Sequence, residues 1–192
     1  DVNDDGFDDI IYSPYSGIKK IRVLINPTDN SSNWEEIILT EEARTVIGVF
    51  DINTDGWNDI IYEDVTTHIN YYKNNSGEFT ESVLIYNPTY TLTLFKTADI
   101  DLDGDIDIVG HFNSTGTLFF KNQGDGTVNT TIISSDFYEH QLAVDDFDGD
   151  GYLDVMIRYS ASIKIALFDL LSGEYDTPVG LGSIYANDYD VA

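Results

Sequence analysis

The stretch DVNDDGFDDIIY, residues 1–12, decides how this chain is read. Oxygen-bearing side chains stand at its first, third and fifth positions (Asp1, Asn3, Asp5), with Gly6 at the sixth, Asp9 at the ninth and an apolar run behind. Alternate side chains of a tight loop point into its interior, and a glycine at the sixth position accepts the positive φ of a sharp bend. A calcium ion asks for six to eight oxygens at about 2.3–2.6 Å, mostly from carboxylates and carbonyls. The stretch therefore reads as a nine-residue calcium loop leading into a strand.

It is not alone. DINTDGWNDII begins at Asp51, DIDLDGDIDIV at Asp99 and DFDGDGYLDVM at Asp146, and a truncated DYDVA begins at Asp188. The starts are 50, 48, 47 and 42 residues apart. The shared pattern is D-x-[DN]-x-D-G-x-x-D followed by two apolar residues. Four full copies at a near-constant period mark a repeat architecture.

Each copy yields the same candidate ligands. In the first loop they are Asp1, Asn3, Asp5, the Phe7 carbonyl and Asp9, and in the second Asp51, Asn53, Asp55, the Trp57 carbonyl and Asp59. The third offers Asp99, Asp101, Asp103, the Asp105 carbonyl and Asp107. The fourth offers Asp146, Asp148, Asp150, the Tyr152 carbonyl and Asp154. Gly6, Gly56, Gly104 and Gly151 take the bend. An EF-hand shares the first six positions but needs a bidentate acid at the twelfth and flanking helices. Here the twelfth residues are Tyr12, Tyr62, Gly110 and Ile157, and the loops run straight into β-like apolar runs. A dockerin-type duplicated loop fails for the same reason.

Other segments recur in phase. Apolar stretches precede the inner loops (TVIGVF 45–50, LTLFKTA 92–98, QLAV 141–144, SIYA 183–186), and strand-like runs such as DIIYE and DIVGHF follow them. Next come aromatic or apolar segments such as THINYYKN and GTLFFKN, then a glycine turn and another strand. Thr, Tyr, Ile and Val dominate these runs, as strands favour. The nearest approach to a helix is WEEIILTEEAR, 34–44, and its phase makes it the outer strand of the first unit and the connection onward. Four short strands in each unit is the arithmetic of an all-β propeller of four-stranded antiparallel blades, with a calcium loop between strands one and two. A parallel β-roll would need a nonapeptide period, which is absent.

Composition narrows the partners. The 192 residues include 35 acidic and 9 basic ones, a formal net charge of −26. Nucleic acid and anionic membranes are poor partners for such a surface. An apolar content of 42%, with 2 Trp, 13 Tyr and 10 Phe, is unlike a disordered chain. There is no cysteine, which excludes disulfides and thiolate metal sites. No apolar run of about 18 residues exists to form a spanning helix. The chain opens on Asp without a signal-peptide pattern, as a processed or partial chain would. Empty loops would crowd three or four carboxylates together, so cation binding should be coupled to folding. Four calcium ions, one per complete loop, would offset about eight of the 26 negative charges.

The segments VIGVFDINTDGWNDI (46–60) and LAVDDFDGDGYLDV (142–155), with the turns YYKNNSGEFTE (71–81) and FFKNQGDGTV (119–128), carry a family resemblance. The chain resembles the FG-GAP/VCBS repeats of integrin α-subunit propellers and of many secreted bacterial proteins. The FG and GAP signature survives only as IG at 47–48, so the bacterial branch is the nearer match. The resemblance implies an extracellular or cell-surface, calcium-stabilised propeller serving adhesion, carbohydrate or protein binding, or assembly with neighbouring repeats. It also implies that the strand before each loop lines the propeller axis and that the metal loops are structural. On this alignment the units are about 1–44, 45–90, 91–138 and 139–182, with 183–192 starting a further blade. That phase is expected of three complete blades and two partial ones from a ring of about seven.

No catalytic constellation is visible, and the chain is read as non-catalytic. His68, His111 and His140 fall at different phases of the repeat, and no Cys nucleophile or G-x-S-x-G elbow exists. The paired carboxylates that a glycosidase would use are already assigned to metal loops. Tyr12, Tyr62, Tyr71 and Tyr72 offer sugar-stacking surfaces but sit at strand spacing, which favours packing. The N-x-[ST] sequences at Asn30, Asn74, Asn113 and Asn129 agree with surface turns. Two alternatives stand beside a binding propeller: the propeller of a secreted polysaccharide lyase or hydrolase, and a structural spacer or filament repeat.

Overall fold

The computed structural model describes residues 1–14, 19–29, 33–136, 141–159, 162–169 and 171–183. Every regular element among them is a strand. The fifth loop start at Asp188, most of the SIYA stretch, His140 and Asn30 lie outside the described residues.

Strands β1 (Ile10–Tyr12), β2 (Lys20–Ile25), β3 (Glu35–Phe50), β4 (Asp59–Asp64), β5 (Ile69–Asn75) and β6 (Glu78–Tyr86) hydrogen-bond in chain order. β3 is 16 residues long and serves twice. Its first half, from Glu35 to Glu42, pairs with β2, and its second, from Ala43 to Phe50, pairs with β4. The stretch that came nearest to a helix in sequence is thus strand from Glu35 onward. Burial alternates along it, with Ile37 half-buried and Leu39 and Ala43 buried while Glu36, Ile38 and Glu42 are exposed, and pairing on both halves overrides the helix propensity of its glutamates.

β7 (Leu92–Ala98), β8 (Asp107–Phe112), β9 (Gly116–Asn122) and β10 (Val128–Ser134) make a second antiparallel sheet, paired in order. β11 (Gln141–Asp145), β12 (Asp154–Tyr159), β13 (Ser162–Ala166) and β16 (Val179–Ser183) make a third. Between the last two lies a two-residue hairpin of β14 (Phe168–Asp169) and β15 (Glu174–Tyr175). Ser183, placed by the repeat phase at the start of a new inner strand, instead ends β16 and pairs with Ser162.

By contacts the chain divides into two compact units, Asp1–Thr89 with Gln123–Thr127, and Tyr90–Asn122 with Val128 onward. Each has its own core. In the first, Val2, Ile21, Val23, Leu39, Ile60, Tyr62 and Tyr72 pack together, and the Tyr62 and Tyr72 rings stack with centroids 5.3 Å apart. In the second, Ile100, Val109, Phe119, Val155, Ile157 and Phe168 do so. The strands that follow the second and third loops are covered on both faces: every residue of β8 is buried, as are the first five of β4. A run without apolar/polar alternation is what such double burial demands. The outer strands β6 and β10 are mostly exposed or half-buried, and their Glu, Thr and Ser residues suit that place.

Candidate metal centres

Register puts the three inner loops between adjacent antiparallel strands. Phe50 faces Asp59, Ala98 faces Asp107 and Asp145 faces Asp154, so each loop closes a hairpin. All four loops share one backbone path. The sixth-position glycines Gly6, Gly56, Gly104 and Gly151 have φ of 88°, 93°, 99° and 95°. The fourth position is left-handed as well, at Asp4, Thr54, Leu102 and Gly149, a feature no glycine in the first three loops announces. The first-position Asp accepts the N–H of that glycine, at 2.7 Å for Asp1 and Asp51, 3.2 Å for Asp99 and 3.0 Å for Asp146. The fifth-position Asp accepts the N–H two residues on, from Phe7, Trp57, Asp105 and Tyr152, at 2.9–3.1 Å. These bonds turn the carboxylates into the loop.

The ninth-position Asp does more than spacing implied. Its Oδ2 accepts the N–H of the loop's second residue: Val2 to Asp9 at 2.8 Å, Ile52 to Asp59 at 3.4 Å, Ile100 to Asp107 at 3.1 Å and Phe147 to Asp154 at 2.8 Å. Its Oδ1 accepts a backbone N–H from further along, from Asn26 just past β2, Asn74 and Asn122 at 2.8 Å and Phe168 at 3.0 Å. The same acid thus ties the loop to the strand two places on. Asp59, Asp107 and Asp154 are buried. Burial pushes the Asp59 carboxyl up to about 6 and that of Asp107 to about 7, against the lowering effect of these backbone bonds, with neighbouring loop acids raising them further. Asp154 is raised for the same first cause.

Carboxylate oxygens of Asp99, Asp101 and Asp107 lie within 4.8 Å of one another, as do those of Asp146, Asp148 and Asp154. Two ligands of one calcium ion span about that distance at most. In the third loop, Oδ1 of Asp99 and Oδ1 of Asp101 are buried and accept no hydrogen bond. An orphaned buried carboxylate oxygen is costly, and a hard cation would satisfy it. The donor set thus fits calcium. Asp103 and Asp150 stand outside these two trios, their Oδ1 atoms engaged with Asp105 and Tyr152. In the first two loops the third residue is an amide whose NH2 donates into a carboxylate, Asn3 to Asp5 at 3.1 Å and Asn53 to Asp59 at 2.8 Å.

A turn from further along the chain covers each of the first two loops. Asn74, fully buried, donates from Nδ2 to the carbonyls of Val2 (2.7 Å) and Asn58 (2.9 Å) and accepts the Gly77 N–H (2.8 Å). Over the second loop, the Gly126 N–H donates to the Ile52 carbonyl (3.0 Å), and Thr54 Oγ1 donates to the Gly124 carbonyl (2.7 Å). The second loop residues Val2, Ile52 and Ile100 are buried, so each of these loops is also plugged into a core from beneath.

The family model of FG-GAP-like repeats matches residues 51–110 and again residues 99–157, together more than half of the chain. The chain belongs to the FG-GAP-like repeat family. Both matches begin at a first-position loop aspartate, Asp51 and Asp99. No curated protein sequence matches these FG-GAP-like repeats. Among solved structures, a lectin of Agrocybe aegerita, described for specific recognition of non-reducing terminal N-acetylglucosamine, is similar with a TM-score of 0.56 and 19% identity. The likeness covers 95% of this chain and 64% of the lectin chain. It is a likeness of fold, and with the open four-stranded sheets it makes this FG-GAP-like chain a β-propeller segment.

The remaining candidate residues, where they are described, are placed one by one. His68 pairs with Asp64 at 3.3 Å in one unit, while His111 is buried beside Thr117 in the other. Tyr62, Tyr71 and Tyr72 are buried in the sheets, and Tyr12 is exposed. Asn74 corrects the reading of its N-x-S sequence as a surface turn, because its amide is the buried clamp described above. Asn113 and Asn129 are exposed, Asn129 within β10.

Proposed function

We propose that this chain is a calcium-stabilised propeller segment of a secreted or cell-surface protein that binds carbohydrate or protein. The observation that carries the calcium reading is the third loop, where three carboxylates converge and two of their oxygens are buried without any partner. In this reading each loop takes one ion through its first, third, fifth and ninth side chains and the carbonyl of Phe7, Trp57, Asp105 or Tyr152. The loop acids then hold metal and do no proton transfer, which favours a non-catalytic role. The repeat units follow the loop period, about 1–44, 45–90, 91–138 and 139–182.

Carbohydrate comes first among ligands because the similar Agrocybe aegerita structure is a lectin's. Calcium outside cells is abundant enough to fill loops of modest affinity, which supports an extracellular location. Melting the purified chain in calcium and in EDTA tests the metal: a steep loss of melting temperature in EDTA is expected, and an unchanged one overturns the assignment. A glycan array read in calcium tests the ligand class. Terminal N-acetylglucosamine glycans are the first probes, and binding to no glycan returns the reading to a protein ligand or a spacer repeat.

A further inference from the structure

Two of the four loops carry a built-in ammonium group. In the second, Lys73 Nζ lies 3.2 Å from Asp55 Oδ2. In the third, Lys121 Nζ is paired with Asp101 Oδ2 and lies 3.3 Å from Asp103 Oδ2. Both lysines sit at one register position, immediately before the asparagine whose N–H binds the ninth-position Asp. The tie that fixes the loop therefore also fixes where the lysine stem begins. At the same position the other two repeats have Ile25, before Asn26, and Leu167, before Phe168.

The oxygens these lysines hold belong to the third- and fifth-position acids, the ones an ion in the loop would use. Asp101 is 6% exposed in its side chain, with Oδ1 unpartnered while Oδ2 faces Lys121. A cation in the loop and an ammonium on the same carboxylate repel each other at close range in a partly desolvated site. Lys73 and Lys121 are each about one-third exposed, with flexible stems that allow the head to leave for water.

We propose that Lys73 and Lys121 are resident counter-ions that hold the second and third loops together without metal and must be displaced when calcium enters. The four loops then fall into two classes. The first and fourth, without a lysine, depend on calcium for their order. The second and third are partly neutralised beforehand and bind the ion more weakly than their acids alone would. The inference rests on the calcium reading above.

The test is cation titration of the full chain beside Lys73→Met and Lys121→Met, with Lys→Gln versions to remove charge without adding apolar surface. Trp57 occupies the seventh position of the second loop and Trp34 is the one other tryptophan, so indole-sensitised terbium emission reports Lys73 variants at their own loop. Calorimetric calcium titration reports Lys121 variants. Loss of either charge is expected to tighten binding about tenfold, while the melting temperature falls in EDTA and rises in saturating calcium. Lys→Arg variants are expected to keep the weaker affinity. Unchanged affinity in the neutral variants, or melting shifts of the same sign with and without calcium, overturns the lysine role. Failure of the unsubstituted chain to bind calcium or terbium overturns the calcium reading instead, and this inference with it.

Discussion

Gly126 and Gly56 have nearly the same backbone conformation, φ +86° and +93°, in very different surroundings. A Cβ on Gly56 meets nothing within 4 Å, whereas on Gly126 it lies 2.5 Å from Tyr71 Oη and 3.3 Å from Tyr71 Cζ. Tyr71 is 6% exposed, so its hydroxyl end can give way only against packed neighbours. Both Gly→Ala changes force an L-residue into left-handed space at roughly 1–2 kcal/mol. Gly126→Ala adds overpacking against the buried ring, another 1–3 kcal/mol or so. Gly56→Ala is thus expected to cost about 1–2 kcal/mol and Gly126→Ala about 2–5, the latter lowering the melting temperature by roughly 5–15 °C in a chain of this size. The excess has nothing to do with the ion, so it persists in EDTA. Thermal melts of both variants in calcium and in EDTA read it directly. A Gly126→Ala variant no less stable than Gly56→Ala would refute the claim that the 123–127 turn is pressed onto the second loop.

Asn74→Ala leaves the Val2 and Asn58 carbonyls and the Gly77 N–H without their side-chain partner, the first of them buried, and is expected to cost about 1–3 kcal/mol. Urea unfolding checks it, with Asn129→Ala on the exposed strand as the neutral comparison. The buried ninth-position acids also set a pH dependence for the metal-free chain. Because burial raises Asp59 to about 6 and Asp107 to about 7, the folded chain holds protons that the unfolded chain has released between about pH 4 and 7. Stability in EDTA should therefore fall as pH rises through that window. In saturating calcium, where protons compete with the ion, the slope should flatten or reverse. Equal slopes in the two media would show that these acids do not meet the ion.

Much of the fold was legible because its information is local. The pattern at Asp51, Asp99 and Asp146 specifies a bend, an acidic interior and a following buried strand within twelve residues, and hairpin closure requires nothing more distant. WEEIILTEEAR was legible as strand only through its phase in the repeat, since its composition alone favours helix. The left-handed fourth position was not legible, because Thr54 and Leu102 ordinarily avoid that region and only Asp4 and Gly149 accept it readily. The clamp role of Asn74 was hidden by an N-x-S sequence that reads as surface, although its recurrence beside Asn26 and Asn122 at one phase was the available signal.

By itself the sequence determined the period, the all-β class, the hairpin loops and their acidic interiors, since alternation and glycine placement act over a few residues. Only tertiary structure decided which acid is tied to backbone from both sides, which loops face a lysine and which turn covers them. Those partners come from strands about 15 residues away and turns about 70 residues away. Spacing directs a side chain inward or outward, but the packed sheets alone bring the distant donor to it.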